Sequence, residues 1–145
     1  MMKLLLIILA LAFLLAILYL ILIIPRFRKP NYQPLLHPYY AHRGLHNTAR
    51  GIPENSMKAF QEAVAGGYGI ELDVQLSKDE IPVVFHDSNL RRMCGVDANV
   101  SSLSLDELKR LSLGGTQERI PTFQEFLEMV DGRVPLIVEI KMEKR

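Results

Sequence analysis

The chain has no tryptophan and only one cysteine, Cys94, among its 145 residues. A single thiol excludes an intramolecular disulfide framework and any cysteine-rich zinc site, and leaves the redox compartment open. An excess of charge of one sign is missing as well, since Lys and Arg number 17 against 16 Asp and Glu. Without a cationic surplus there is no counterion release to hold a polyanion, so nucleic acid is not an expected partner. There is no internal repeat and no low-complexity tract beyond the N-terminus, and the length allows one domain.

The N-terminus is where charge is most scarce. Only Lys3 interrupts an apolar run through the first 24 residues, and Leu4 to Ile24 carries no charge at all. A helix of that length, rising about 1.5 Å per residue, crosses a hydrocarbon core of about 30 Å. A cleaved leader has a shorter apolar region, about 7 to 15 residues, ending in a small-residue cleavage site, and neither feature is present. Residues 1–24 are therefore expected to form a transmembrane anchor, making the protein single-pass and membrane-bound. After Pro25, the basic residues Arg26, Arg28 and Lys29 outnumber the one before the helix, which favours a cytoplasmic C-terminal part. Residues 25–38 read as a linker, because Pro30 to Pro38 holds three prolines and shows no helical period.

From residue 39 to residue 145 strand and helix patterns alternate, which points to an α/β fold with a parallel sheet flanked by helices. A short strand ends at Ala41-His42. Asn55 or Ser56 can cap a helix reaching about Ala65, closed by Gly66-Gly67. Tyr68 to Leu76 is a second strand, Asp79-Glu80 a turn, and Ile81 to Phe85 a third strand. Ser104 with Glu107, and Thr122 with Glu125, fit the capping box that opens a helix. Val134 to Lys141 is the last strand.

Polar residues then stand where a buried strand should be apolar. In Ile70-Glu71-Leu72-Asp73-Val74 the two acids share one face of the strand about 7 Å apart, and the aliphatic residues take the face that helices would cover. The last strand repeats the pattern, with Val138 and Ile140 on one face and Glu139 and Lys141 on the other. Inward carboxylates are costly unless paired or bound to a cation. Two arrangements meet that need: a hard, oxygen-liganded ion such as Mg²⁺ or Ca²⁺, or an inward network in which Lys141 and Arg43 neutralise the acids. His42 and His86 together stand at the C-terminal ends of successive parallel strands, where α/β barrels keep their chemistry. His37 in the linker and His46 in the loop after the first strand read as ordinary loop histidines, and Cys94 as a plain free thiol.

The ordered set His42-Arg43-Gly44, Pro53-Glu54-Asn55-Ser56, Glu71-Leu72-Asp73, His86-Asp87 and Glu139-Ile140-Lys141 resembles the glycerophosphodiester phosphodiesterase family. Leu90, Arg92 and Ile120-Pro121-Thr122 fall between these motifs in the same order. The resemblance runs from about Tyr40 onward and implies a TIM (β/α)8 barrel. In it His42 and His86 would be the acid and base, Glu71, Asp73 and Glu139 would hold a divalent metal, and Arg43 and Lys141 would touch the substrate phosphate. Glu54 would lie near the metal or the glycerol. Ser56, where the family often has Thr, and Met93-Cys94, where it often has paired threonines, depart from the pattern without touching that chemistry.

Residues 38–145 amount to 108, against about 250 for a complete barrel. The expectation is the N-terminal half of a barrel, with four strands of eight, in a truncated record of a longer enzyme. The activity implied is metal-dependent hydrolysis of glycerophosphodiesters to an alcohol and glycerol 3-phosphate, in lipid and glycerol metabolism. Two alternatives stand beside it: a related diesterase acting on a lysophospholipid or phosphoinositide, and an inactive membrane-tethered remnant.

Overall fold

The computed structural model describes residues 2–23, Leu36 and residues 39–141. The basic residues expected just after the anchor, and the linker apart from Leu36, lie outside the described residues. The chain divides into two units, Met1–Tyr32 and Gln33–Arg145.

The first unit holds helix α1, Met2–Ile23, with a mean hydropathy of 3.3 and every described residue exposed. It is long and apolar enough to cross a membrane; an N-terminal signal sequence meets the same criterion.

The second unit is built on strand β2, Gly69–Leu76. Strand β1, Tyr40–His42, pairs with it in parallel, with His42 opposite Glu71. Strand β4, Leu136–Ile140, is parallel on the other side, with Asp73 opposite Glu139. Between them in sequence comes β3, Pro82–Val84, which runs antiparallel to β2 with Val84 opposite Val74. Val74 also pairs with Ile140 on β4, so β3 shares the edge of β2 that β1 occupies further back.

Two expectations are corrected by this topology. The third strand is not one of the parallel set, so the sheet has three parallel strands and one returning strand, and His86 does not stand at the end of a parallel strand. The physical reason is the length of the link: Ser77–Ile81 is five residues, whereas a parallel crossover needs a dozen or more. Val138 and Ile140 are also not covered by a helix; they are 38% and 74% exposed. Among the described residues no strand pairs with the outer edge of β4.

Helix α2, Met57–Ala65, starts at Ser56, whose Oγ accepts from Ala59 N at 3.1 Å. Helix α5, Phe123–Val130, opens with the Thr122–Glu125 capping box. Their apolar faces cover one side of the sheet: Phe60, Ala63, Phe126 and Val130 pack with Ile70, Leu72, Val74 and Val84. A second apolar cluster, of Val83, Phe85, Leu90, Val100, Leu108, Leu113 and Ile120, supports the segment that follows β3. That segment carries the short helices α3, Arg91–Cys94, and α4, Leu105–Arg110, the latter opened by the Ser104–Glu107 capping box. Cys94 closes α3 and is partly buried.

Candidate active site

Alternation along β2 decides the site. Burying Ile70, Leu72 and Val74 under the helices turns Glu71 and Asp73 to the opposite face. The parallel register places Glu139 beside Asp73. The three side chains each offer one oxygen, and these oxygens lie within 4.8 Å of one another. Asp73 is 1% exposed.

His42 ends β1 and His86 follows β3, the two strands that share one edge of β2. His42 arrives at the end of β1, its Nε2 lying 3.8 Å from Glu71 Oε2. His86 follows the returning β3, next to Phe85, whose N–H donates to Asp73 O at 3.0 Å. His86 Nδ1 and Asp87 Oδ1 are 2.6 Å apart. A carboxylate can only accept, so Nδ1 donates and the ring exchanges protons at Nε2. Hydrogen bonding from Arg92 holds the Asp87 carboxyl below the usual range despite partial burial, with His86 adding to the effect.

Arg43 follows β1 in the left-handed conformation, φ 56°, with its N–H donating to Glu71 O at 2.9 Å and Glu71 Oε2 at 3.1 Å. Its Nη1 donates to Glu54 Oε1 at 2.9 Å and its Nε lies 3.5 Å from Asp73 Oδ2. Arg92, from α3, donates to the same Glu54 oxygen at 2.6 Å and through Nε to Asp87 Oδ2 at 2.6 Å. Burial alone would push Glu54 up, but the bonds from Arg92 and Arg43 outweigh it and lower its pKa. The Arg92 guanidinium is raised further above its ordinary value by Glu54 and Asp87. Lys141 Nζ lies 2.6 Å from Glu139 Oε1 and 3.1 Å from Asp73 Oδ1. Burial disfavours its charge, yet these two carboxylates raise its pKa.

Both arrangements that the sequence left open are thus visible in part. Arg43 and Lys141 do pair with the acids. Even so, five carboxylates (Glu54, Glu71, Asp73, Asp87 and Glu139) face three permanent cations (Arg43, Arg92 and Lys141), an excess of two negative charges. Asp73 Oδ1 is buried with no hydrogen bond, its ion-pair partner Lys141 lying 3.1 Å away. Clustered hard oxygens, an excess of two negative charges and a buried oxygen with no hydrogen bond fit a divalent cation held by Glu71, Asp73 and Glu139.

Glu54 contacts arginines rather than the acidic trio. His46 is exposed in the loop after β1. Three residues that the sequence offered only as parts of motifs, with no role in the site, take part in it: Asp87 behind His86, Arg92 linking Asp87 to Glu54, and Asn55, whose Nδ2 donates to Asp73 Oδ2 at 3.1 Å. Adjacency to His86 was a usable signal for Asp87; the other two act across long stretches of chain.

Comparison with known proteins gives the family and the fold. Residues 42–145 match the Glycerophosphoryl diester phosphodiesterase family. The chain is 40% identical over 109 residues to a glycerophosphodiester phosphodiesterase of Caldanaerobacter subterraneus subsp. tengcongensis, covering 70% of this chain and 44% of that protein. It is 37% identical over 131 residues to the lysophospholipase D GDPD1 of Rattus norvegicus, covering 77% of this chain and 41% of that one. Among solved structures, an Oleispira antarctica phosphodiesterase in complex with the product sn-glycerol-3-phosphate matches with a TM-score of 0.65 and 35% identity, over 74% of this chain and 46% of that chain. The glycerophosphodiester phosphodiesterase of Agrobacterium tumefaciens matches with a TM-score of 0.65 and 31% identity, over 72% and 47%. The chain therefore spans less than half the length of these relatives and covers part of their barrel fold.

Proposed function

Because the chain belongs to the glycerophosphoryl diester phosphodiesterase family, we propose that it carries the metal ligands and the acid–base pair of an enzyme that hydrolyses glycerophosphodiesters to an alcohol and glycerol 3-phosphate. The observation that supports this most directly is the cluster of Glu71, Asp73 and Glu139, whose oxygens lie within 4.8 Å of one another, with His42 Nε2 3.8 Å from Glu71 Oε2.

In this reading Glu71, Asp73 and Glu139 hold Mg²⁺ or Ca²⁺, which when bound draws charge from a phosphoryl oxygen. Arg43 and Lys141 add positive charge where the phosphate sits, with Glu54 holding the Arg43 guanidinium. One histidine removes a proton from the nucleophile and the other protonates the departing alkoxide. Asp87 keeps the His86 proton on Nδ1, so the exchange runs through Nε2.

Helix α1 favours a second reading, in which the substrate is a lysophospholipid met at a membrane surface, as the name of the rat relative suggests for that protein. Residues 1–24 then act as the anchor, residues 25–38 as the linker and residues 39–145 as part of the barrel on the cytoplasmic side, as the basic residues after the helix favour.

The test uses full-length protein and the release of glycerol 3-phosphate from glycerophosphocholine, with chelator and then metal add-back. His42→Ala and His86→Ala should each lower the rate by about 10²- to 10⁴-fold, with His46→Ala changing little. Asp73→Asn should weaken metal affinity, with activity partly recovered at high Mg²⁺ or Ca²⁺. Full activity in chelator, or in either catalytic-histidine variant, would sink the assignment. Turnover of lysophosphatidylcholine in preference to glycerophosphocholine would select the second reading.

A further inference from the structure

We propose that Asn55 is a positioning residue for the metal: its side chain fixes Asp73 so that Oδ1 is the oxygen presented to the cation. This rests on the metal assignment above and extends it to a residue outside the ligand set.

Asn55 is 2% exposed, yet it is not used as a helix cap, because Ser56 fills that role for α2. Its backbone is left-handed, φ 53°, a conformation that costs most residues energy and that asparagine tolerates. Two hydrogen bonds hold it there. Its N–H donates to Arg43 O at 2.9 Å, tying it to the segment that follows β1, and its Nδ2 donates to Asp73 Oδ2 at 3.1 Å. Asn55 Oδ1 is buried with no partner, which is costly and is not what a residue selected only to fill space would retain.

The consequence lies in how the two oxygens of Asp73 are divided. Oδ2 takes the Asn55 bond and has Arg43 Nε 3.5 Å away, so it is committed to this side. Oδ1 is left on the Lys141 and Glu139 side, buried and without a hydrogen bond. Removing the amide frees the carboxylate to rotate toward Arg43 or Lys141, and a cation must then compete with those side chains for it. Partners that orient a ligating carboxylate in this way typically change metal affinity by about 10- to 100-fold when lost.

Glycine separates this from a backbone role, because it adopts the left-handed conformation at no steric cost and has no amide to offer. In full-length protein, Asn55→Gly should keep a thermal midpoint near that of the wild type while binding Mg²⁺ about 10- to 100-fold more weakly by isothermal titration calorimetry. A folded Asn55→Gly that binds Mg²⁺ within threefold of the wild type overturns the proposal. Should that variant not fold, NMR of the wild-type protein decides. The Asn55 side-chain amide protons should exchange slowly and shift in step with added Mg²⁺, and fast exchange or an unmoved resonance overturns it. Wild-type protein that binds no Mg²⁺ removes this proposal together with the metal assignment. Weakened Mg²⁺ binding in Asn55→Gly, alongside a wild type that does not hydrolyse glycerophosphocholine, sustains it while the functional reading falls.

Discussion

Arg92 is half-exposed, a position where an ion pair usually contributes little, yet its guanidinium joins Asp87 to Glu54 and both carboxyls titrate low beside it. A depressed carboxyl pKa stabilises the fold above the unfolded values, about 3.9 for Asp and 4.3 for Glu, and that contribution disappears as pH falls through the lower folded values. Denaturation of full-length protein at pH 7, 5, 4 and 3 should therefore show a loss of stability below about pH 4 that is shallower in Arg92→Ala; equal acid limbs would refute the link. Cys94 has the opposite perturbation, because burial pushes its thiol up to about 11. Its alkylation by iodoacetamide at pH 8 should be on the order of 10²-fold slower than that of a free cysteine, and should reach the free rate in denaturant. The contrast also marks what could be read at this scale. Glu71 and Asp73 were legible because strand alternation puts them on one face. Asn55 and the Arg92 contact to Glu54 were not, since the residues they join lie 18 and 38 apart in sequence.

At the scale of elements, helix limits were legible because they are local. Ser56, Ser104 and Thr122 each accept from a backbone N–H three residues on, and the sequence carries that spacing openly. Strand direction was misread where it depends on how the chain returns. The five-residue link Ser77–Ile81 already forbids a parallel crossover, and the hairpin it makes is what carries His86 back toward β1. The first strand's exit has an equally tight requirement at Gly44, whose φ is +78°. A Cβ there would lie 2.9 Å from Ala59 C and Cβ, in the first turn of α2. The left-handed conformation alone costs a non-glycine residue about 1–2 kcal/mol, and helix backbone cannot easily move aside to relieve the clash. Gly44→Ala should therefore lower the thermal midpoint by several degrees and displace the adjoining His42 and Arg43, seen as a fall in turnover beyond that explained by unfolding. A midpoint and turnover equal to wild type would show that the close packing of this exit against α2 is dispensable.

For the whole molecule, the family fold distributes a barrel over a chain about twice the length covered here, and the outer edge of β4 shows it: Ile137, Val138 and Ile140 are 49%, 38% and 74% exposed. A strand reads as half-buried from alternation only if something lies on its apolar face, which is why Val138 and Ile140 were expected to be covered. Helix α1 poses a simpler question of solvent. Its 22 residues extend about 33 Å at 1.5 Å per residue, enough to cross a hydrocarbon core. It is apolar on every side rather than along one stripe, and no residue of it is buried against protein. A helix of that kind is stable in lipid and not in water, where a surface helix keeps a polar face. The full-length chain should therefore sediment with membranes, resist high-salt and carbonate washes, and be released by detergent with its first 24 residues attached. Recovery of a soluble product that begins beyond residue 24 would instead make α1 a cleaved signal sequence and remove the membrane from the substrate argument.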